Sequence, residues 1–453
     1  MSGWVSSLRR HVALPLAYRV VGDNRFARLD ELLERDTWSA EQIRSHQALR
    51  LTALFRIARD HNPYWQDRFK TYGLRPNGSD PFAELAKLPV LTKDELRKHW
   101  RRMRSTHLPD SQVVQETSSG STGAQVNVFQ DKAYRELHAA MEYRSRRWMG
   151  VQPGDPYIAV QANGAYIPLK RRLLRRFRTA IERGVLIDGF ELDPREAERL
   201  LLKASKRGTV HIHGYTTPLA SVARLSQQLG LTWPALRAVS TTSEQLFDQD
   251  RELLAEAFGA PVYDRYGSRE VLSVSMQCEH GSHHVYADVN HVEFLPLQEA
   301  EEETHAIVVT PLDNEAMPLF RYRGGDSASP ILGDCPCGRQ LPLMTGCRGR
   351  VCNNFVTPDG RLINGGYFLL HFYYQEGFKS FQFHQTTANH IDLYVVPDGE
   401  LAPERRDYLD SVCRRIRQDH GGRFEVALHV VEEIPKRPGG KHLYTISDVL
   451  SHI

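Results

Sequence analysis

From about residue 110 the chain alternates short β-branched, apolar stretches with stretches of helical periodicity, and this rhythm constrains the fold more than any other feature. VVQET and VNVFQ read as strands, AYRELHAAMEYRSRRW as a helix, YIAVQA as a strand and DPREAERLLLKASKRG as a helix. VHIHGY, ALRAVSTTS and APVYDRYG continue the series as strands with helices between them. Each such element has an apolar face to bury, so layers of sheet and helix are expected. Residues 1–105 read instead as mostly helical, and Thr92 is a candidate N-cap with Glu95 at the third helical position. After residue 345 the strand-like FQFHQ, HIDLYVV and EVALHVV and the helical RRDYLDSVCRRIRQDHG suggest a smaller α+β unit. The 453 residues exceed what one core accommodates. The expected class is therefore α/β: a large multilayer N-terminal domain of mixed sheets and helices over 1–348, and a small α+β C-terminal lid domain over 349–453.

Charge narrows the partners. Lys and Arg total 58 against 55 Asp and Glu, a net charge of +3, which argues against a nucleic-acid partner. No apolar run reaches the roughly 20 residues of a membrane span, so no transmembrane segment is expected. In the N-terminal MSGWVSSLRRHVALPLAYRVVGD, Pro15 and Arg19 break the apolar part and no cleavage site follows. It reads as a short amphipathic helix packed on the body, with weak membrane-surface association as the lesser reading. A cytoplasmic location and six reduced cysteines follow from the lack of a signal peptide. The sequence leaves the oligomeric state open.

Four motifs suggest chemistry. Thr117-Ser118-Ser119-Gly120-Ser121-Thr122-Gly123 lies between two expected strands, where glycines and hydroxyls can turn donors toward phosphate oxygens. It lacks the Lys of a Walker loop. Asp264-Arg265-Tyr266-Gly267-Ser268-Arg269-Glu270 ends a strand; the Tyr-Gly pair offers a flat surface for a purine, and the carboxylate a place for Mg²⁺. In Met317-Pro318-Leu319-Phe320-Arg321-Tyr322-Arg323-Gly324-Gly325-Asp326, the final carboxylate can accept from ribose hydroxyls. Ile434-Pro435-Lys436-Arg437-Pro438-Gly439-Gly440-Lys441 puts a Lys on a turn that can reach beyond its own domain. Taken singly, each also reads as an ordinary loop, turn or solvated basic segment.

In this order the four resemble the adenylate-forming superfamily, and within it the phenylacetate–CoA ligase and CapK-type branch. LPVLTKDEL, the HGY at 213–215, YGSRE and MPLFRYRGGD carry the finer resemblance, which runs from about residue 45 onward. It implies that Ser118, Ser119, Gly120, Ser121, Thr122 and Gly123 embrace ATP phosphates, that Tyr266 beside Gly267 stacks on adenine with Asp264 near its amino group, and that Asp326 binds the ribose. It implies Glu270 and Thr122 at Mg²⁺, Glu244 facing the nucleotide, Arg350 at the hinge and Lys441 as the catalytic lysine. Three positions depart from the family pattern: Gln125 where Pro is common, Arg269 where Thr or Ser is common, and Cys352-Asn353-Asn354 where an acidic pair often follows the hinge Arg.

The implied function is ATP-dependent activation of an organic acid, by default aromatic, as its acyl-adenylate with release of pyrophosphate. Acyl transfer to the thiol of coenzyme A follows. Transfer to an amine is the alternative, and a non-catalytic nucleotide-binding scaffold is the rival from another class. Separately, Cys278-Glu279-His280-Gly281-Ser282-His283-His284 and Cys335-Pro336-Cys337-Gly338 offer thiolates and imidazoles suited to structural Zn²⁺. The resemblance matches Cys278, His284, Cys335 and Cys337 as ligands, with His280 or His283 as substitutes for His284. The run Lys170 to Arg178 reads as a solvated basic helix face, or as an anchor for the phosphates of coenzyme A or another anionic acceptor.

Overall fold

The computed structural model describes residues 3–118, 126–161, 169–189, 193–244, 246–296, 305–347, 355–359, 362–363, 365–372, 375, 377–434 and 444–449. Its N-terminal part is helical: Arg25–Arg35, Ala40–His61, Pro63–Tyr72, Pro81–Ala86 and Lys93–His99 follow a segment that runs from Gly3 to Val20. The starts of these helices are written in the sequence. Ser39 and Gln42 form a reciprocal capping box, and Asn62 and Asp80 cap helices that open with Pro63 and Pro81. Thr92 caps Lys93–His99 by accepting from the Glu95 amide at 3.2 Å. The Glu95 carboxylate does not reach back to complete the box; it accepts from Tyr64 Oη at 2.7 Å and pairs with Arg68.

Among the described residues the central sheet has nine strands. Gly184–Asp188, Tyr157–Gln161, His211–Tyr215, Ala238–Thr242 and Val262–Ser268 lie side by side and parallel. Leu272–Gln277, His283–Val285, Leu343–Met344 and Pro330–Ile331 extend it antiparallel. Parallel strands are buried on both faces, as the apolar YIAV run requires. On one face Ile158, Val160, Ile212 and Val239 meet Leu201, Leu219, Val222 and Leu254 from helices Pro194–Lys206, Thr216–Gln228 and Asp248–Phe258. On the other, Tyr263, Met276 and Tyr286 meet Leu137, Met141 and Trp148 of helix Lys132–Trp148. The buried Arg144 of that helix lies between Asp36 at 2.9 Å and Asp288 at 3.0 Å, tying the N-terminal helices to the body.

A second, four-stranded sheet carries Asn290–Pro296, His305–Pro311, Tyr322–Ala328 and the short Leu91–Thr92. Strands Val113–Ser118 and Val126–Asp131 form a hairpin. Toward the C-terminus, antiparallel Phe378–Thr387 and His390–Pro397 are flanked by parallel Glu425–Val430 and Thr445–Ser447, with helix Pro403–Asp419 packed beside them. Phe381, Phe383, Leu393, Leu409, Ile416 and Phe424 form a core of their own there, and the half-buried Tyr215 of the central sheet packs against it.

Candidate functional site

Ligands of open α/β sheets gather at the carboxyl ends of the parallel strands. Here those ends are His213-Gly214-Tyr215, Thr241-Thr242-Ser243-Glu244 and Asp264-Arg265-Tyr266-Gly267, from three neighbouring strands. Tyr266 donates its hydroxyl to Asp326 Oδ2 at 3.1 Å, which brings the second and third motifs together. Burial, and then the Asp326 charge, push the Tyr266 phenol well above its usual range, so it stays a donor. Asp264 accepts from Thr241 Oγ1 at 3.2 Å and faces His283 Nε2 at 3.4 Å. Gly267 cannot be larger: a Cβ there would meet the Leu272 carbonyl oxygen at 2.2 Å.

Glu270 is buried, with Tyr322 Oη at 3.5 Å and Lys93 Nζ at 3.7 Å. Lys93 lies in the LPVLTKDEL segment and reaches the site because Leu91–Thr92 pairs with the strand that bears Tyr322. Arg269 is bound to the hairpin on both sides. Its guanidinium meets Glu116 at 3.5 Å, and its carbonyl accepts from Gln130 Nε2 at 2.9 Å. Thr117 and Asn127, at the two ends of the hairpin loop, hydrogen-bond at 2.6 Å. The mouth of the Ser/Gly/Thr loop is thus held beside Glu270. Ser119, Gly120, Ser121, Thr122 and Gly123 lie outside the described residues, as do Arg350, Cys352 to Asn354 and Lys441; of Ser118 only the backbone is described.

The Glu244 carboxylate accepts from the Thr217 amide at 2.7 Å, at the start of helix Thr216–Gln228, where Tyr215 supplies no side-chain cap. Ser243 before it holds φ at +71°, a costly conformation for a residue with a side chain. Cys347 was not anticipated. Burial, then the Asp326 and Asp264 charges, push its thiol far up, so it stands among the same carboxylates. Its distance in sequence from the motifs hid it.

Beside these strand ends is a polar cavity lined by Glu142, Arg146, His211, His213, Thr242 and Arg265, among others. Arg265 bonds Glu142 at 2.8 Å. Burial opposes ionisation of Glu142, but Arg265 and Arg146 outweigh it and hold the carboxyl down to about 2. Burial holds both imidazoles well below the usual histidine range, so they are neutral. The rings stack 5.2 Å apart, and among the described residues His211 Nδ1 and His213 Nε2 have no partner. Gly214 and Arg265 adjoin Tyr215 and Tyr266 in sequence.

The cysteine-rich segments converge. Ligand atoms of Cys278, His284, Cys335 and Cys337 all lie within 4.8 Å of one another. Cys278 Sγ is 3.6 Å from Cys335 Sγ, and Cys337 Sγ is 3.3 Å from His284 Nε2. Two sulfurs bound at tetrahedral angles to one Zn²⁺ would stand about 3.8 Å apart, so the donor set fits that ion. His284 Nδ1 faces the Leu341 carbonyl at 3.3 Å, the contact that fixes a ligating tautomer and frees Nε2. Strand alternation sends His283 the opposite way, to Asp264, and His280 approaches only through its amide, 3.4 Å from Cys278 Sγ.

The basic run forms helix Leu169–Ile181, where Arg178 pairs with Asp23 at 3.5 Å.

Residues 355–448 match the family model of the CapK C-terminal domain. The chain is 23% identical over 397 residues to the phenylacetate–coenzyme A ligase of Escherichia coli, covering 84% of each. It is 24% identical over 367 residues to that of Thermus thermophilus, covering 73% of this chain and 74% of the relative. Among solved structures, 2-hydroxyisobutyryl-CoA ligase in complex with 2-HIB-AMP and CoA superposes with a TM-score of 0.63 over 92% of both chains at 18% identity.

Proposed function

Because the chain belongs to the adenylate-forming superfamily, in the branch of the phenylacetate–CoA ligases and CapK-like proteins, we propose that it is an AMP-forming acid–thiol ligase. The observation that carries this reading is the meeting of Tyr266, Asp326, Asp264 and Glu270 at the carboxyl ends of the parallel strands, with the hairpin loop anchored beside them. In the reaction a substrate carboxylate attacks the α-phosphorus of ATP in line, and pyrophosphate leaves. Tyr266 and Gly267 offer the adenine a flat surface beside Asp264, and Asp326 takes the ribose hydroxyls. Ser118 to Gly123 hold the phosphates. Glu270 and Thr122 would hold Mg²⁺, which neutralises phosphate charge when bound. Lys441 approaches the attacking carboxylate and the α-phosphate during this first step. Arg350 marks the hinge about which the C-terminal unit, residues 349–453, then turns for attack on the acyl-adenylate by coenzyme A. Positioning and fixed charge supply most of the rate. Cys278, His284, Cys335 and Cys337 would hold a structural zinc ion.

The two phenylacetate–CoA ligases named above support an aromatic acid as the substrate of this chain.

The test is ATP–pyrophosphate exchange across aromatic, hydroxy- and dicarboxylic acids, followed by product mass with coenzyme A or amines. Exchange that depends on an acid and a thioester product are expected. Lys441→Ala should slow adenylation roughly 10²–10³-fold while thioester formation from synthetic acyl-adenylate continues. No exchange with any acid would leave a nucleotide-binding scaffold, and an amide product would replace the thiol acceptor with an amine.

A further inference from the structure

The first 22 residues contain three arginines and no acidic residue. They form helix Gly3–Leu8, a π-helical stretch Arg9–Ala13 and helix Leu14–Val20. A helix packed on the body would bury its apolar side chains. Here, among the described side chains, only Leu14 and Tyr18 are buried, while Trp4, Leu8, Val12, Leu16 and Val20 are each 46–77% exposed. These five recur at every fourth position. Such spacing would wind slowly around a pure α-helix. The wider π turn in the middle counters that drift and keeps them nearer one face.

A second helix continues the surface. Leu169–Ile181 contacts the first segment through Arg178, which pairs with Asp23 at 3.5 Å and lies over the Tyr18 ring, and through Glu182 just beyond it, which accepts from Tyr18. Thr179 and Glu182 face inward, while Leu173, Leu174 and Phe177 are 43–58% exposed. Residues 169–181 hold six basic residues, Lys170 to Arg178, and no acidic one. The two segments together hold nine basic residues on a chain whose net charge is +3; Arg10 and Arg178 are tied to Asp155 at 3.6 Å and Asp23 at 3.5 Å, while Arg19 and Arg176 are exposed.

We propose that this face is a docking surface for an anionic phospholipid bilayer, with both helices lying in the headgroup plane. Exposed Trp, Leu and Phe flanked by arginines are what an interfacial helix presents: apolar side chains enter the acyl boundary and guanidiniums meet lipid phosphates. No helix among the described residues is long and apolar enough to cross a membrane. A second copy of the chain fits less well. A two-fold interface sets like against like, and would bring both copies' arginines together with no acidic residue in either segment to offset them.

The full-length protein is floated with vesicles of neutral phosphatidylcholine and with vesicles containing phosphatidylglycerol, at low and high salt. Binding is expected to the anionic vesicles at low salt, with little to the neutral ones. The variant Trp4→Ser/Leu8→Ser/Leu16→Ser/Val20→Ser should weaken binding at least tenfold, and Leu173→Ser/Phe177→Ser should act in the same direction. Both variants should keep the parent melting temperature, because the replaced side chains are exposed. Failure of the parent to float with anionic vesicles overturns the proposal, as does equal binding by the four-serine variant. A parent dimer that the serines convert to monomer, with no vesicle binding by either, would make the face a self-interface instead.

Discussion

Replacing Glu270 with Gln keeps its size and removes its charge, leaving the half-buried neighbour Lys93 3.7 Å from a neutral amide. If Glu270 serves Mg²⁺, the metal needed for half-maximal ATP–pyrophosphate exchange should rise by at least the roughly 10–100-fold typical of a lost metal-site partner. An unchanged Mg²⁺ titration in a folded variant would remove Glu270 from the metal site. Tyr266, Asp264, Glu270 and Asp326 were legible because each lies in a short motif with a glycine or a strand end beside it. Lys93, Cys347 and the face of His283 were not. They reach the site through pairing between segments far apart in sequence, as when Leu91–Thr92 docks on Tyr322–Ala328, and local pattern carries no trace of that. Arg269, a departure from the family pattern, has a local explanation: its salt bridge to Glu116 fastens the motif to the hairpin.

At the scale of elements, most of the parallel strands and their helices are legible, because short β-branched and aromatic stretches separated by amphipathic helices leave few alternatives. Between 272 and 345 the sequence pattern marks no strand, yet the described residues form seven, from Leu272–Gln277 to Leu343–Met344. Several are two or three residues long, and Asn290–Pro296 is half-buried nearly throughout, so neither alternation nor a continuous apolar run marks those; His305–Pro311 does carry one, in its buried AIVV. The cysteine spacing identified the metal candidates, but choosing among three histidines needed the strand. Purified protein should contain about one zinc per chain. Cys335→Ser/Cys337→Ser and His284→Ala should lose the metal and lower the melting temperature, whereas His283→Ala should retain it. Elemental analysis beside thermal melts decides this, and metal-free parent protein of undiminished stability would dismiss the site.

For the whole molecule, the two-part plan of a large α/β body and a small α+β C-terminal unit was readable from where the strand–helix rhythm changes. How Tyr215 meets the smaller core was not, because packing between units leaves no periodicity. That smaller core should be sensitive to acid. Burial lowers His371 and His420 to about 4, with Arg415 and Arg423 respectively adding to the effect. Both are neutral in the fold, while the unfolded chain takes up protons near the usual 6.5. Stability is therefore full above about pH 6.5 and falls as pH drops toward 4, by about 2 kcal/mol per histidine at pH 5. Denaturant melts at pH 7 and pH 5 should show the loss, and His420→Phe should reduce it; a pH-independent melt would contradict the buried neutral state.

The partners of the first helices lie far downstream. Gln47 donates to the carbonyls of Ala287 and Asn290, Trp65 to that of Pro318, and Arg144 joins Asp36 to Asp288. Trp65 and Pro318 are separated by 253 residues. A ribosome adding roughly 5–20 residues per second leaves these helices without their partners for tens of seconds. During that interval the buried Trp65 and the apolar side chains around it have no finished core to enter, so these helices are made before the body they pack on and settle only with it.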